Sequence, residues 1–170
     1  MWGFKLLGAL LLLLSGGYVS LEVGRYERRR LRVLDGYVAL IVYIKGQIDC
    51  YAMPLNDILA RADPLLLADC MGAEGPAPFA FTELAEGEGI LPALLAESRP
   101  YLDSESERLL TGFVGELGTS FRAQQVARCA YYQEALTEER RKLYEALPAR
   151  RRICGTLCLC CALGAAVLFW

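Results

Sequence analysis

Two long uncharged segments, one at each end of the chain, constrain the fold more than any other feature of the sequence. Residues 6–21 carry no charged side chain, and residues 153–170 form a second such run of eighteen. About 20 apolar residues, at roughly 1.5 Å each, cross the hydrocarbon core of a bilayer, so both runs lie within or near the spanning range. We therefore predict an N-terminal transmembrane anchor over 1–23, a helical domain over 24–152 and a C-terminal transmembrane helix over 153–170.

Arginines flank both apolar segments on the side of the predicted domain. Because basic residues beside a membrane span are retained in the cytoplasm, this pattern predicts a cell-membrane protein with residues 24–152 cytoplasmic. Arginines in this position also meet anionic headgroups. The alternative is an exported helical domain with a cleaved signal peptide, since Lys5 precedes the leucine run and small residues at 15–17 follow it. The predicted membrane-interface residues are Arg25, Arg28, Arg29, Arg30, Arg32, Arg150, Arg151 and Arg152.

The seven cysteines favour a reducing compartment. Cys50, Cys70 and Cys129 are scattered through the predicted domain, where a cytoplasmic location would leave them as ordinary thiols. The other four follow a C-x3-C-x-C-C pattern, which lacks the paired knuckles of a closed zinc site. We interpret them as weakly polar residues of a membrane helix, with reversible acylation as the alternative. These four are Cys154, Cys158, Cys160 and Cys161.

Between the anchors the apolar spacing predicts helices. A stripe at helical intervals begins near Glu27 and predicts a helix that ends near Tyr51, and Pro54 then starts a second helix that closes before Pro64. A short helix through PLLLADC follows, and the Gly- and Pro-rich stretch after it leaves at most a short helix over 79–86. The stripe residues are Leu31, Leu34, Tyr37, Val38, Leu40, Ile41, Ile44, Ile48 and Tyr51.

The second half of the predicted domain continues as helix. We expect an interruption near Pro100, a capping box of Ser104 with Glu107, and a last helix from near Ser120 with a kink or break at Pro148. Glycines at every third position predict close backbone contact with a neighbouring helix; they are Gly112, Gly115 and Gly118. The predicted fold is all-α, an antiparallel bundle of about five or six helices with a transmembrane helix at each end.

Composition argues against catalysis and against nucleic-acid binding. The chain contains no histidine, which removes the usual general base and the commonest metal ligand. Residues 54–119 carry twelve acidic and three basic side chains, a balance of minus nine, and the chain as a whole has a net charge of −2. We therefore predict a protein that is not an enzyme, holds no cofactor or metal, and binds neither nucleic acid nor a small-molecule substrate.

Two stretches carry a resemblance to a known family. ERRRLRVLDGYVALIVYIKGQIDCYAMPL, which ends in Pro54 and Leu55, resembles the opening of the stage III sporulation protein AB family. In ELGTSFRAQQ a Leu-Gly pair is followed by a glutamine, as in that family. An acidic residue that the family usually places between them is replaced here by Phe121, which leaves the helix cap to Thr119 or Ser120. The remaining family-motif residues are Leu117, Gly118 and Gln125.

The resemblance covers essentially the whole chain and implies a function. Members of the family are mother-cell membrane proteins of spore-forming Firmicutes, required for the channel-like complex that links the mother cell to the forespore. They resemble the cytoplasmic domains of F-type platform proteins of type II secretion. The likeness implies a non-enzymatic platform on the mother-cell side of the forespore envelope, which contacts a secretion-type ATPase and other stage III sporulation membrane proteins. The alternative is a generic membrane-anchored scaffold unrelated to sporulation. The candidate partner surface is Glu83, Glu86 and Glu88.

Overall fold

The regular secondary structure of the described residues is entirely helical. The computed structural model describes the chain apart from residues 1, 52–54, 74–88, 120 and 169–170. Side chains at most positions of 2–20 and 154–168 are outside the described set as well. The expected all-α class is therefore confirmed for the part of the chain that the structure describes. The expected short helix over 79–86 lies outside the described residues.

Six α-helices and one 3₁₀ turn make up the described secondary structure. Two of the helices are long, with 50 and 47 residues, and the others have between 6 and 13. In chain order the elements are α1 (Trp2–Tyr51), α2 (Leu55–Ala60), α3 (Pro64–Cys70), α4 (Ile90–Ser98), the 3₁₀ turn (Arg99–Tyr101), α5 (Ser104–Glu116) and α6 (Arg122–Leu168).

The chain divides into two compact units. One, here called the terminal unit, combines Met1–Arg28 with Leu143–Trp170. The other, the bundle unit, comprises Arg29–Lys142 and holds all the shorter helices together with parts of α1 and α6. None of the helices, over the residues described, combines the length and the apolar character needed to cross a bilayer. The two terminal spans remain predictions.

The apolar stripe predicted for α1 forms one side of the core of the bundle unit. Six of its nine positions are buried, and Leu31 and Val38 are half-buried. The prediction is wrong for Tyr51, whose side chain is 69% exposed at the last residue of the helix. Burial of each large apolar side chain contributes about 1.5–3 kcal/mol, so this stripe is a main source of stability. The six buried residues are Leu34, Tyr37, Leu40, Ile41, Ile44 and Ile48.

α1 and α6 run antiparallel within the bundle unit. Near the end of α1, Asp49 pairs with Arg122 at the start of α6 across 3.5 Å. About four helical turns earlier on α1, Asp35 pairs with Arg140. From one ion pair to the other, the residue numbers fall along α1 and rise along α6, so the two helices run in opposite directions. The expected inward stripe of α6 is confirmed at four positions and is half-buried at Val126. The four are Cys129, Leu136, Leu143 and Leu147.

Two other local predictions for the second half were wrong. The N-cap of α5 is Asp103 rather than Ser104, because the Asp103 carboxylate accepts a hydrogen bond from the Ser106 backbone N–H at 2.9 Å. Of the kink or break expected at Pro148, the break does not occur, since α6 continues through that residue. The interruption expected near Pro100 is confirmed, as α4 gives way there to the 3₁₀ turn.

The glycines of the predicted every-third-residue pattern serve different purposes. A Cβ on Gly112 would lie 2.9 Å from the Tyr132 hydroxyl, so a side chain rather than a backbone packs against it. Gly115 faces open space and Gly118 lies beyond the helix, so the prediction was wrong for both. The closest backbone approach is at Gly36 of α1, where a Cβ would lie 2.6 Å from the Cys70 backbone nitrogen.

Candidate interaction surface

Arg30 and Arg32, predicted to lie at the membrane surface, bind groups of the bundle unit itself. The Arg30 side chain is only 12% exposed, and its Nε donates to the Tyr101 carbonyl at 3.1 Å. Its Nη2 lies 3.5 Å from the Asp103 carboxylate. Arg32 donates to the Ala73 carbonyl at 3.5 Å. We call Arg30, Arg32 and the three groups that they bind the arginine end of the bundle unit.

The carboxylate of Asp103 joins this arrangement to the start of α5. Partial burial acts to raise its pKa, but hydrogen bonding from Ser106 and the charge of Arg30 together hold the pKa below its ordinary value. One carboxylate thus both caps a helix and partly neutralises a nearly buried guanidinium. The sequence did not predict this role, because the capping-box pattern at Ser104 placed the N-cap of α5 one residue later.

The other predicted interface arginines that the structure describes are exposed. Arg25 pairs with Glu22 at 3.1 Å, and the Nε of Arg28 donates to the Gly24 carbonyl at 3.1 Å. Arg29 and Arg152 are also exposed. The side chains of Arg150 and Arg151 lie outside the described residues, as do the three glutamates of the candidate partner surface, Glu83, Glu86 and Glu88.

The Leu-Gly pair of the second family motif has a clear backbone role. Leu117 is the C-cap of α5 and its N–H donates to the Phe113 carbonyl at 3.0 Å. Gly118 follows with φ of +84°, in the left-handed region that favours glycine. A residue with a Cβ would be strained there. The pair therefore ends α5 and turns the chain toward α6.

Residues of the two family motifs approach each other beside Gly118. A Cβ on Gly118 would lie 3.9 Å from a methyl group of Leu55, which belongs to α2. Leu117 and Gln125 line one shallow crevice together with Phe113 and Tyr132. The Phe113 and Tyr132 rings pack edge to face with centroids 5.5 Å apart. The fifth motif residue, Pro54, is outside the described residues.

Phe121 occupies the N-cap position of α6. Its carbonyl accepts the backbone N–H groups of Gln124 and Gln125, both at 3.0 Å, and the helix begins at the next residue. Ser, Thr, Asp and Asn are preferred at this position because their side chains accept a helical N–H, which a phenyl ring cannot do. Thr119 does not take over the expected cap, since its hydroxyl donates to the Glu116 carbonyl at 2.8 Å. Ser120 lies outside the described residues.

Two exposed aromatic residues lie close in sequence to the two members of the Asp49–Arg122 ion pair. Phe121 is 89% exposed and precedes Arg122, while Tyr51 is 69% exposed and follows Asp49 by two positions. We call Tyr51, Phe121 and this ion pair the aromatic tip of the bundle unit. One feature of the sequence pointed to Phe121. It stands where the family that the chain resembles usually has an acidic residue. The exposure of Tyr51 was not predicted, because Tyr51 falls on the apolar stripe of α1.

The core of the bundle unit contains a small polar cluster with a structural role. The Tyr37 hydroxyl and the Ser98 hydroxyl are 2.9 Å apart, and Ser98 donates to the Leu95 carbonyl. Burial raises the pKa of Tyr37 and of the nearby Cys70 thiol, so both groups stay protonated at neutral pH. Over the described residues, no group of three or more Cys, Asp or Glu side chains is placed to hold a metal ion.

No protein-family model, curated protein or solved structure matches the chain.

Proposed function

We propose that the chain is a membrane-anchored, non-enzymatic platform component of a sporulation channel of the stage III type. In this role it contacts a cytoplasmic secretion-type ATPase and neighbouring membrane subunits on the mother-cell side of the forespore envelope. The single observation that carries the proposal is the approach of Leu55, from the first motif, to Gly118, from the second, where a Cβ would lie 3.9 Å from the leucine methyl group. These two residues are distant in sequence, and motifs that are distant in sequence are expected to approach each other if the likeness to the family reflects a common fold.

The uncharged segments at both termini support the membrane part of the proposal. Residues 6–21 and 153–170 have the composition of anchors, and exposed arginines such as Arg25, Arg29 and Arg152 adjoin them. Each arginine beside an anionic surface contributes about 1 kcal/mol. We propose that both anchors are retained and that the domain between them lies in the cytoplasm.

Labelling of Cys50 tests this topology. Cys50 is exposed, whereas Cys70 and Cys129 are fully buried in the bundle unit. Cys160 is exposed as well, so the four C-terminal cysteines are replaced by serine, and an impermeant thiol reagent then reports on Cys50. We expect labelling of Cys50 only after cells are permeabilised, together with an intact N-terminal peptide that retains residues 1–23. Labelling of Cys50 in intact cells would place the domain outside the cell and contradict the proposal.

Binding to the ATPase tests the assembly part of the proposal. The full-length chain in lipid nanodiscs should bind the purified secretion-type ATPase of the same assembly. Charge reversal at Glu83, Glu86 and Glu88 tests the acidic segment as the contact, with reversal of the exposed Glu134 on α6 as the matched control. Unchanged binding after the triple reversal removes the acidic segment from the interface, and no binding by the unaltered chain contradicts the platform role.

A further inference from the structure

α1 and α6 have residues in both units of the chain. The division crosses α1 after Arg28 and α6 before Leu143. On the terminal-unit side, each helix carries one residue that weakens an α-helix. Gly24 lies four residues before Arg28, and Pro148 lies five residues after Leu143. Both positions are therefore between about one and one and a half helical turns from the division.

Pro148 weakens α6 through its covalent structure. Proline has no backbone N–H, so the carbonyl of Tyr144, four residues earlier, has no donor in the helical hydrogen-bond ladder, and the proline ring crowds that carbonyl. Interior prolines are a common cause of helix bending. Pro148 is exposed and Tyr144 is 67% exposed, while Leu147 is buried. The turn is therefore open on its proline side, and a bend there leaves the inner contact of Leu147 in place.

Gly24 weakens α1 in a different way. Glycine in the interior of a helix is less stable than alanine, because its backbone loses more conformational freedom on folding. Among the described residues no atom lies within 4 Å of a Cβ built on Gly24, so close packing does not require glycine there. The Nε of Arg28 also donates to the Gly24 carbonyl at 3.1 Å. In a regular helix that carbonyl accepts the backbone N–H of Arg28, and a side chain that competes for such an acceptor is a known cause of bending.

Gly46, in the part of α1 that belongs to the bundle unit, provides the contrast. A Cβ there also meets nothing within 4 Å. However, Ile44 and Ile48, two positions on either side, are 0% and 6% exposed and hold the helix in the core. Tyr26, two positions after Gly24, is 44% exposed. Buried apolar side chains thus fix α1 around the second glycine and do not fix it in the same way around the first.

We infer that Gly24 and Pro148 form a two-helix hinge, at which α1 and α6 bend and change the direction of the terminal unit while the bundle unit stays folded. In an antiparallel helix pair, a bend in one helix is resisted by the other unless both yield at the same level. The two residues meet this condition, because each lies at nearly the same distance from the division of the chain. Hinges are typically a few residues that absorb the change in backbone angles. The inference goes beyond the proposed function and does not depend on it.

Pulsed electron paramagnetic resonance on the full-length chain in lipid nanodiscs tests the hinge. Spin labels on the exposed Cys50 and Cys160 place one probe in each unit, after the other three C-terminal cysteines are replaced by serine. The buried Cys70 and Cys129 are left in place and stay unlabelled. The quantity measured is the width of the distribution of distances between the two labels, which a moving hinge makes broad.

The double variant Gly24→Ala/Pro148→Ala should narrow this distribution to about half its width, because alanine restores the hydrogen bond on α6 and the helix propensity on α1. Both substitutions favour helix, so the variant is expected to fold, and circular dichroism checks that it does. Gly46→Ala is the matched control, since it makes the same change in α1 within the bundle unit, and it should leave the width unchanged.

Three results would overturn the hinge. The first is an equal width in the double variant and the unaltered chain. The second is an equal narrowing by Gly46→Ala, which would mean that the general stiffness of α1, and not its weak turn, sets the width. The third is a distribution in the unaltered chain no broader than the motion of the label side chains alone. None of them affects the platform role, because binding of the ATPase is measured separately.

Discussion

The two ends of the bundle unit place charged and apolar side chains in opposite ways. At the arginine end, Arg30 is 12% exposed, with a carbonyl and a carboxylate to compensate its charge. At the aromatic tip, Phe121 is 89% exposed, with no gain in helix capping to offset it. The first departure from the usual pattern is compensated within the chain and holds the fold together. The second has no such compensation among the described contacts, and a large apolar ring there adds nothing to the stability of the fold.

The largest effect is expected near the arginine end, at Gly36. A Cβ there would lie 2.6 Å from the Cys70 nitrogen and 2.8 Å from the Asp69 carbonyl carbon, both of them backbone atoms of α3. Gly36→Ala should lower the free energy of unfolding by about 3 kcal/mol, because α1 and α3 must separate. The measurement is urea unfolding of the full chain in one detergent, followed by circular dichroism.

Gly46→Ala is the control for this substitution. Gly46 lies on the same helix with nothing within 4 Å of a Cβ, so alanine should raise stability by about 0.5–1 kcal/mol. Equal effects of the two substitutions would mean that α1 and α3 do not approach as closely as described.

Loss of Arg30 is the second-largest expected effect. Arg30→Met should cost about 2 kcal/mol, because it leaves the Tyr101 carbonyl and the Asp103 carboxylate without a charged donor. Arg29→Met, at an exposed neighbour, should change stability by less than about 0.5 kcal/mol. The same unfolding measurement compares them. Similar small changes for both would show that the Arg30 side chain does not bind within the fold, and would leave it available at the membrane surface, as the sequence predicted.

A further test of the arginine end is the pH dependence of the stability that Asp103 provides. Since the pKa of Asp103 is lowered in the folded chain, its charge contributes stability above its unfolded pKa, and this contribution is lost as pH falls through the folded value. Asp103→Ala should cost about 1 kcal/mol at neutral pH through loss of the cap. Asp103→Asn keeps a capping side chain and removes the charge, so its difference from the unaltered chain should shrink as pH falls below the ordinary carboxyl value of about 4, and disappear once pH lies below the lowered folded pKa. A difference that persists there would exclude charge as the cause.

The last expected effect, a gain in stability, is at Phe121. Phe121→Asp should raise the free energy of unfolding by about 1 kcal/mol, because the new carboxylate accepts a helical N–H of α6. Phe121→Ala should be close to neutral, since alanine neither caps nor loses a buried contact. A loss of stability in both variants would show that the ring packs within the chain.

Sequence patterns predicted the parts of this molecule that depend on local periodicity. The apolar stripe of α1, its end at Tyr51, the helix at Pro64–Cys70 and the interruption at Pro100 follow from spacing and from proline chemistry alone. Those features are set by neighbours along the chain, so a window of a few residues is enough to show them.

The remaining features depend on contacts between distant residues. The inward role of Arg30 requires Tyr101 and Asp103, which lie some 70 positions away, and arginines beside an apolar run carry no sign of it. Tyr51 fits the periodicity of a buried stripe, but it falls at the last residue of α1, where neighbouring helices no longer cover it. Pro148 predicts a kink or a break in the last helix, yet α6 continues through it.

The reactivity of the two buried thiols measures how often the bundle unit opens. Cys70 on α3 and Cys129 on α6 have no exposed surface, and burial keeps the pKa of each above its ordinary value. Each can react with an alkylating reagent only through a transiently open state, so its rate relative to an exposed thiol reports the population of that state. Matching rates at the two cysteines would mean that α3 and α6 separate in one cooperative event. Unequal rates would mean that one helix detaches more often than the other, and the faster-reacting thiol would identify that helix.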